Sequence, residues 1–324
     1  MYKKTLILTY SEDRHADAVI EQLQKRKVDV FRVNTEYLIK DYQIRFDLQT
    51  RLFYLSDGKR KEAIDESWAI WNRRVSDPQI PEMTPDLQQI VYEETTRTWD
   101  GLLFSAKGKV VNRPQAQYSA NNKIAQLLFA REHGIKTPET IVTNIPQEAI
   151  DFFDRNKKDD RRTCHKLQKV AIVTKGNEDL VTYTNIVNED ALRNVELIRT
   201  HPNVFQTYID KQFEVRVTGF EDHAVGIAIH SQDSELSKVD FRKYDFDNVR
   251  YEKIDLPRKI EDFCIEMLKK HDLSFGEFDF IYDKNGAYVF LELNPNGQWL
   301  WLQLMSGFDL VTPFVDNLLN KTCQ

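Results

Sequence analysis

From Glu277 to Asn294 the chain reads Glu-Phe-Asp-Phe-Ile-Tyr-Asp-Lys-Asn-Gly-Ala-Tyr-Val-Phe-Leu-Glu-Leu-Asn, two alternating runs joined by Asn285-Gly286. Asn-Gly between such runs predicts a two-residue type I′ hairpin turn. Pairing outward from Lys284 opposite Ala287 sets Asp279 directly across from Glu292, with Asn294 two residues on and facing the same way. The other face receives Phe278, Phe280, Tyr282, Val289, Leu291 and Leu293. Burial of that face fixes the register, because a slip of one residue would put the carboxylates inside. Two opposed carboxylates repel unless a cation joins them, and two acids with an amide suit a magnesium ion held partly by nucleotide phosphates. A merely solvated face would more often set a lysine across from an acid.

Other chemistries find less support. No GxGxxG or GxxxxGK[ST] occurs, and the chain has only 11 glycines from which to build phosphate loops. No Ser-His-Asp or Cys-His spacing argues for a covalent nucleophile. Most of the seven histidines lie in polar, loop-like contexts, and His15 reads as a polar residue at a helix start. Cys164, Cys264 and Cys323 are widely spaced and odd in number, which argues against disulfides or a zinc site and for a reducing cytoplasm. The net charge of −6 offers no general field for nucleic acid. Lys157-Lys158 with Arg161-Arg162 reads as a solvated loop. No run approaches the roughly 20 apolar residues of a membrane span, and the opening MYKKTLILTY reads as a strand, not a secretory signal.

The elements that must position this hairpin form an α/β chain of 324 residues, long enough for two or three subdomains. Thr5–Tyr10, Asp13–Lys27 and Val28–Val33 open it as a β-α-β unit with a parallel sheet. Strands follow at Gln43–Asp47, Arg51–Leu55 and Trp68–Trp71, and the first domain closes near Val110–Pro114. A helix capped by Ser119 or an asparagine before Lys123 ends at His133-Gly134. Beyond the strand Glu139–Val142 and a helix from about Gln147, Arg155–Lys166 reads as a mobile polar loop. Lys169–Thr174 and Leu180–Tyr183 flank a turn at Lys175-Gly176-Asn177. Strands Phe213–Thr218 and Ala224–His230 and a helix from Pro257 to about Lys270 complete the set. Phe213, Val215 and Val217 alternate with Glu214, Arg216 and Thr218, so Arg216 should face the cleft.

The Asp279, Glu292 and Asn294 arrangement resembles the metal site of the ATP-grasp fold, and Asn294-Pro-Asn-Gly-Gln-Trp-Leu-Trp301 resembles the microviridin-type ligases, the graspetide macrocyclases. Similar segments run the length of the chain: Trp68-Ala-Ile-Trp-Asn-Arg-Arg74, Val111-Asn-Arg-Pro114, Ala120-Asn-Asn-Lys123 with Gln126-Leu-Leu128, Thr137-Pro-Glu-Thr-Ile-Val-Thr143, and Phe205-Gln-Thr-Tyr-Ile209 with Glu214-Val-Arg216. The resemblance implies an N-terminal pre-ATP-grasp domain over 1–114, a central ATP-grasp subdomain over 115–187 and a C-terminal subdomain with the metal site over 188–324. It implies ATP and two magnesium ions as cofactors. Its reaction is activation of side-chain carboxylates on a ribosomally made precursor peptide, then closure of lactones or lactams. A leader segment on that peptide and a homodimeric enzyme come with the family analogy, and Ser231–Lys238 and the Lys169–Tyr183 hairpin are candidate leader surfaces.

By the same resemblance Lys123 and Lys175 reach ATP phosphates, Gln206, Tyr208 and Ile209 form the hinge that reads adenine, and Glu214 shares that nucleotide site. Arg216 would neutralise the acceptor carboxylate or acyl phosphate and Arg242 the γ-phosphate. The usual Gly-rich phosphate loop is absent, since Gly176 stands alone. Trp299 and Trp301 read as packing residues or as walls of the carboxylate pocket. Competing readings are a ligase that extends peptide C-termini and a nucleotide-binding regulator without turnover. Ester versus amide product is not legible in these residues.

Overall fold

The structure is a computed structural model, and the residues it describes are 1–168, 172–175, 178–181 and 183–320. The strands Asp29–Asn34, Lys4–Thr9, Trp68–Asn72 and Val110–Val111 form a parallel sheet in that order. Trp68–Asn72 is buried at every position, as expected for a strand covered on both faces. Asp13 caps the following helix, Arg14–Lys25, by accepting from the His15 backbone N–H, which explains why the helix starts there. A three-stranded antiparallel sheet, Gln43–Asp47, Leu52–Ser56 and Lys61–Ile64, lies between the second and third parallel strands in sequence. The helix Pro85–Ser105 was not foreseen. Only Trp99, Leu102 and Leu103, all near its C-terminal end, are buried, so its first half carries no core-facing stripe to betray it.

The middle of the chain forms a four-stranded antiparallel sheet in the order Asn185–Val187, Thr163–Lys166, Asn203–Thr207 and Thr140–Thr143. The expected loop over Arg155–Lys166 is therefore a correction. Arg155, Lys157 and Lys158 are the last turn of the helix Pro146–Lys158, where cations complement the helix dipole. Thr163–Lys166 is an interior strand with Thr163 and Cys164 buried. The strands Ile172–Lys175 and Glu178–Val181 pair antiparallel, with Lys175 opposite Glu178, while Lys169, Gly176 and Asn177 lie outside the described residues.

A five-stranded antiparallel sheet completes the molecule in the order Tyr251–Ile254, Ala224–Ile229, Lys211–Phe220, Phe275–Asp283 and Tyr288–Asn294. Its apolar face, with Val215, Val217, Phe278, Phe280, Phe290 and Leu293, packs on Phe263, Met267 and Leu268 of the helix Arg258–Lys270. A second core joins distant parts of the chain: Ile7, Val19, Leu23 and Trp71 pack with Trp299, Phe314, Val315 and Leu318. Among the described residues no helix is long and apolar enough to cross a membrane.

The carboxylate hairpin forms with a different turn. Asp283 pairs with Ala287 across a three-residue loop in which Gly286 adopts φ +81°, a left-handed position that suits glycine. The Asp283 carboxylate accepts from the backbone N–H groups of Asn285 and Ala287, an Asx cap that favours this loop over the two-residue one. A register shift then follows: Phe280 faces Phe290 while Asp279 faces Glu292, leaving Leu291 as an extra residue. The two one-residue offsets cancel, so Asp279 and Glu292 face each other as expected. Tyr288 and Phe290, not Val289 and Leu291, join the apolar face.

Candidate active site

A cleft of about 880 Å³, part of it open to solvent, is lined by the four-stranded sheet, the five-stranded sheet and the start of the helix Lys123–Glu132. Asp279, Ile281, Leu291 and Glu292 form part of its lining. Asp279 lies between Glu292 on one neighbouring strand and Arg216 on the other. The Arg216 guanidinium donates to both Asp279 oxygens at 2.7 and 2.8 Å and to Glu277 at 3.1 Å. Arg216 is thus turned to the face of the carboxylates, but it does not reach the cleft as expected: it is buried behind Asp279, because both acids draw its guanidinium. Burial works against its charge, but the two acids override it and raise its pKa. Burial also raises the carboxyl of Asp279, against the pull of Arg216, and pushes Glu277 up to about 8. One guanidinium therefore serves two buried acids.

Glu292 has its own cation. Lys123, first residue of its helix and set there by the Asn122 cap, places Nζ 2.6 Å from the Glu292 carboxylate. Although burial alone would raise it, Lys123 and Lys166 hold Glu292 down at about 2. Arg242 is fixed by Asp240, with Nε and Nη2 at 2.9 and 2.5 Å from its oxygens, and its charge also acts on Glu292 and Asp279. Asn294 faces Glu277 at the end of the strand, and its side-chain oxygen accepts from the Asn296 backbone N–H at 3.1 Å. That oxygen keeps a second lone pair.

The far end of the cleft holds Gln206, Tyr208, Ile209 and Glu214. Gln206 is buried, and its amide donates to Thr140 Oγ1 at 2.9 Å. The Tyr208 hydroxyl donates to the Lys238 carbonyl at 3.3 Å, which brings the Ser231–Lys238 loop against the cleft. Glu214 does not pair with Arg216. It accepts from Lys211 at 2.5 Å and from the Ser231 hydroxyl, and burial raises its carboxyl.

The structure therefore gathers Lys123, Gln206, Tyr208, Ile209, Glu214, Arg242, Asp279 and Glu292 around one space, with Arg216 behind Asp279 and Asn294 at the strand end. Lys175 ends the strand Ile172–Lys175, and its side chain lies outside the described residues. Two residues were missed. Lys166 lines the cleft and acts on Glu292, and burial lowers its pKa. Its signal was its alternation with Cys164 on a strand misread as loop. Glu277 is fully buried beside Arg216, and its spacing of two from Asp279 could have placed it on the same face.

Trp299 packs in the core, stacked on Phe314 at 5.2 Å. Trp301 is half-buried among Phe241, Tyr244, Phe246 and Tyr251. The donor set fits a magnesium ion: two carboxylates on adjacent strands and an amide oxygen share one face, each acid held in place by its own cation. Three further cationic side chains in the cleft lining, Lys123, Lys166 and Arg242, form a ready site for phosphate oxygens.

Residues 4–118 match the family model for the MvdD pre-ATP grasp domain. Among curated proteins none matches the chain. Among solved structures the chain is similar to macrocyclase MdnC from Microcystis aeruginosa MRC, bound with precursor peptide MdnA, at 25% identity and a TM-score of 0.86, covering 98% of this chain and 100% of that one. It is similar to a Chryseobacterium gregarium RiPP-associated ATP-grasp ligase, in complex with ADP and a leader and core peptide, at 26% identity and a TM-score of 0.88, covering 98% and 95%. Macrocyclase MdnB from Microcystis aeruginosa MRC matches at 27% identity and a TM-score of 0.79, covering 98% and 100%. With the pre-ATP-grasp domain match at one end and the acid hairpin at the cleft, the chain is an ADP-forming ATP-grasp ligase, similar from end to end to the peptide macrocyclases.

Proposed function

We propose that this protein is an ATP- and magnesium-dependent ligase that activates Asp or Glu side chains of a ribosomal precursor peptide and closes them into rings. The observation that carries the reading is the Asp279–Glu292 pair facing across adjacent strands beside the cleft, with Arg216 gripping Asp279 from behind. Asp279, Glu292 and Asn294 would hold magnesium, which would supply charge neutralisation to the phosphates. Lys123, Lys166 and Arg242 set positive charge along the same stretch, and Gln206, Tyr208, Ile209 and Glu214 line the end where the base would rest. Transfer of the terminal phosphoryl group to a carboxylate oxygen gives an acyl phosphate and ADP. A Ser or Thr hydroxyl or a Lys amine then attacks the carbonyl carbon. Phosphate leaves with the bonding pair, and the nucleophile loses its proton. Positioning and charge carry both steps, so no protein nucleophile is required.

Lys175, at the end of its strand, is a further candidate for the phosphates. The family likeness also carries a leader segment on the peptide and a homodimeric enzyme, and the three widely spaced cysteines suit a cytoplasmic setting. The test is co-expression with a candidate precursor rich in Thr, Glu, Asp and Lys, followed by mass spectrometry. Each closure removes one water. A gain in mass at the peptide C-terminus points to an extending ligase instead, and no peptide-stimulated release of ADP sinks the enzymatic reading.

A further inference from the structure

Residues 295–300 leave the carboxylate hairpin and lead into the helix Leu300–Ser306. Their backbone is held almost residue by residue by side chains from far earlier in the chain. Asn112 donates to the Pro295 carbonyl at 2.8 Å. Arg73 Nη1 donates to the carbonyls of Asn296 and Gly297 at 3.2 and 3.1 Å and to the Asn296 side-chain oxygen at 3.1 Å. His15 Nε2 accepts from the backbone N–H groups of Trp299 and Leu300 at 3.1 and 3.0 Å. The Gln298 carbonyl, in turn, accepts from Arg216 at 3.4 Å.

The holders are themselves fixed. Arg73 is 1% exposed, and its Nε donates to Asp13 at 3.3 Å. The same Asp13 oxygen accepts from the Thr9 hydroxyl at 2.7 Å. A buried guanidinium keeps its charge only with such a partner. Burial lowers Arg73 to about 10, which leaves it protonated at neutral pH. His15 accepts at Nε2 and so carries its hydrogen on Nδ1, 3.5 Å from Asp13; burial keeps the ring neutral.

The held turn presses on the acid–arginine cluster. A Cβ added to Gly297 would lie 2.4 Å from Glu277 Cγ and 3.0 Å from Arg216 Nη2. Glycine is required there because the backbone itself forms the wall. Arg73 thus fixes the position of Gly297, Gly297 confines Glu277 and Arg216, and Arg216 orients Asp279.

We propose that Arg73, held by Asp13 and seconded by His15, is a positioning residue for the metal-side carboxylates. It touches no reacting atom, and it acts through the 295–298 turn upon Arg216. The inference rests on the proposed function in taking Asp279 as a metal ligand. Its prediction is a split: Arg73 governs how magnesium strengthens nucleotide binding and leaves the base end of the cleft alone.

ADP binding to the full chain, measured by calorimetry with and without Mg²⁺, tests this without any peptide. Arg73→Met is expected to cut the Mg²⁺ enhancement of ADP affinity by about tenfold, as loss of support behind a metal ligand does, while Mg²⁺-free affinity stays within about twofold. Gly297→Ala leaves the Asp13–Arg73 pair intact and is expected to give the same loss, with the double variant no worse than either single one. An enhancement unchanged in both variants, equal losses with and without Mg²⁺, or additive losses overturn the inference alone. No Mg²⁺ enhancement in the unmutated protein overturns the proposed function and this inference with it.

Discussion

Arg216 holds two acids, and only one of them can be fully ionised against a single guanidinium in a buried setting. Glu277 is the one that burial pushes up to about 8, from an ordinary value of 4.5. An acid raised on folding contributes stability that is complete below its unfolded pKa and is lost as pH rises through its folded one. The protein should therefore lose stability between about pH 5 and pH 8, by up to about 5 kcal/mol from this group. Glu277→Gln removes that titration. Melting curves of the two proteins across pH 5–9 should diverge toward alkaline pH, with the variant flatter; parallel curves would show that Glu277 is ionised throughout.

At the scale of elements the hairpin is the instructive case. Deleting Leu291 removes the bulge yet leaves Phe290 opposite Phe280 and Glu292 opposite Asp279, so the acids keep their face. Leu291 also lines the cleft. Leu291→Ala and the deletion should thus weaken ADP binding alike, by about 1–2 kcal/mol for the lost apolar contact, with Mg²⁺ enhancement retained in both. A deletion that abolishes the enhancement would mean that the bulge aims the carboxylates. Facing of Asp279 and Glu292 was legible in the sequence because burial of Phe278, Phe280 and Leu293 enforces it. Turn length was not, because the Asp283 cap competes with the Asn-Gly preference. The strand carrying Lys166 was hidden by the arginines and lysines before it, and the helix Pro85–Ser105 by its exposed first half. The pinning of residues 295–300 could not be read at all, since Arg73 and Gly297 are separated by more than two hundred positions and linked only by tertiary contact.

For the whole molecule, the core shared by Trp71, Val19 and Leu23 with Trp299, Phe314 and Leu318 makes the first domain part of the catalytic body. Calorimetry should show one unfolding transition, and a chain lacking residues 1–118 should fail to fold, because the Trp299 and Phe314 side would lie bare. Two separate transitions would contradict this. The hairpin meets the same whole at both ends. Its tip is tied down where Lys136 grips Asp283 at 2.6 Å, and its base is tied down at the cleft. Between those anchors Leu291 is slack in the chain. A descendant that lost one residue there could keep the tip and the paired carboxylates where they stand, so this strand has room to drift in length while its acids hold still.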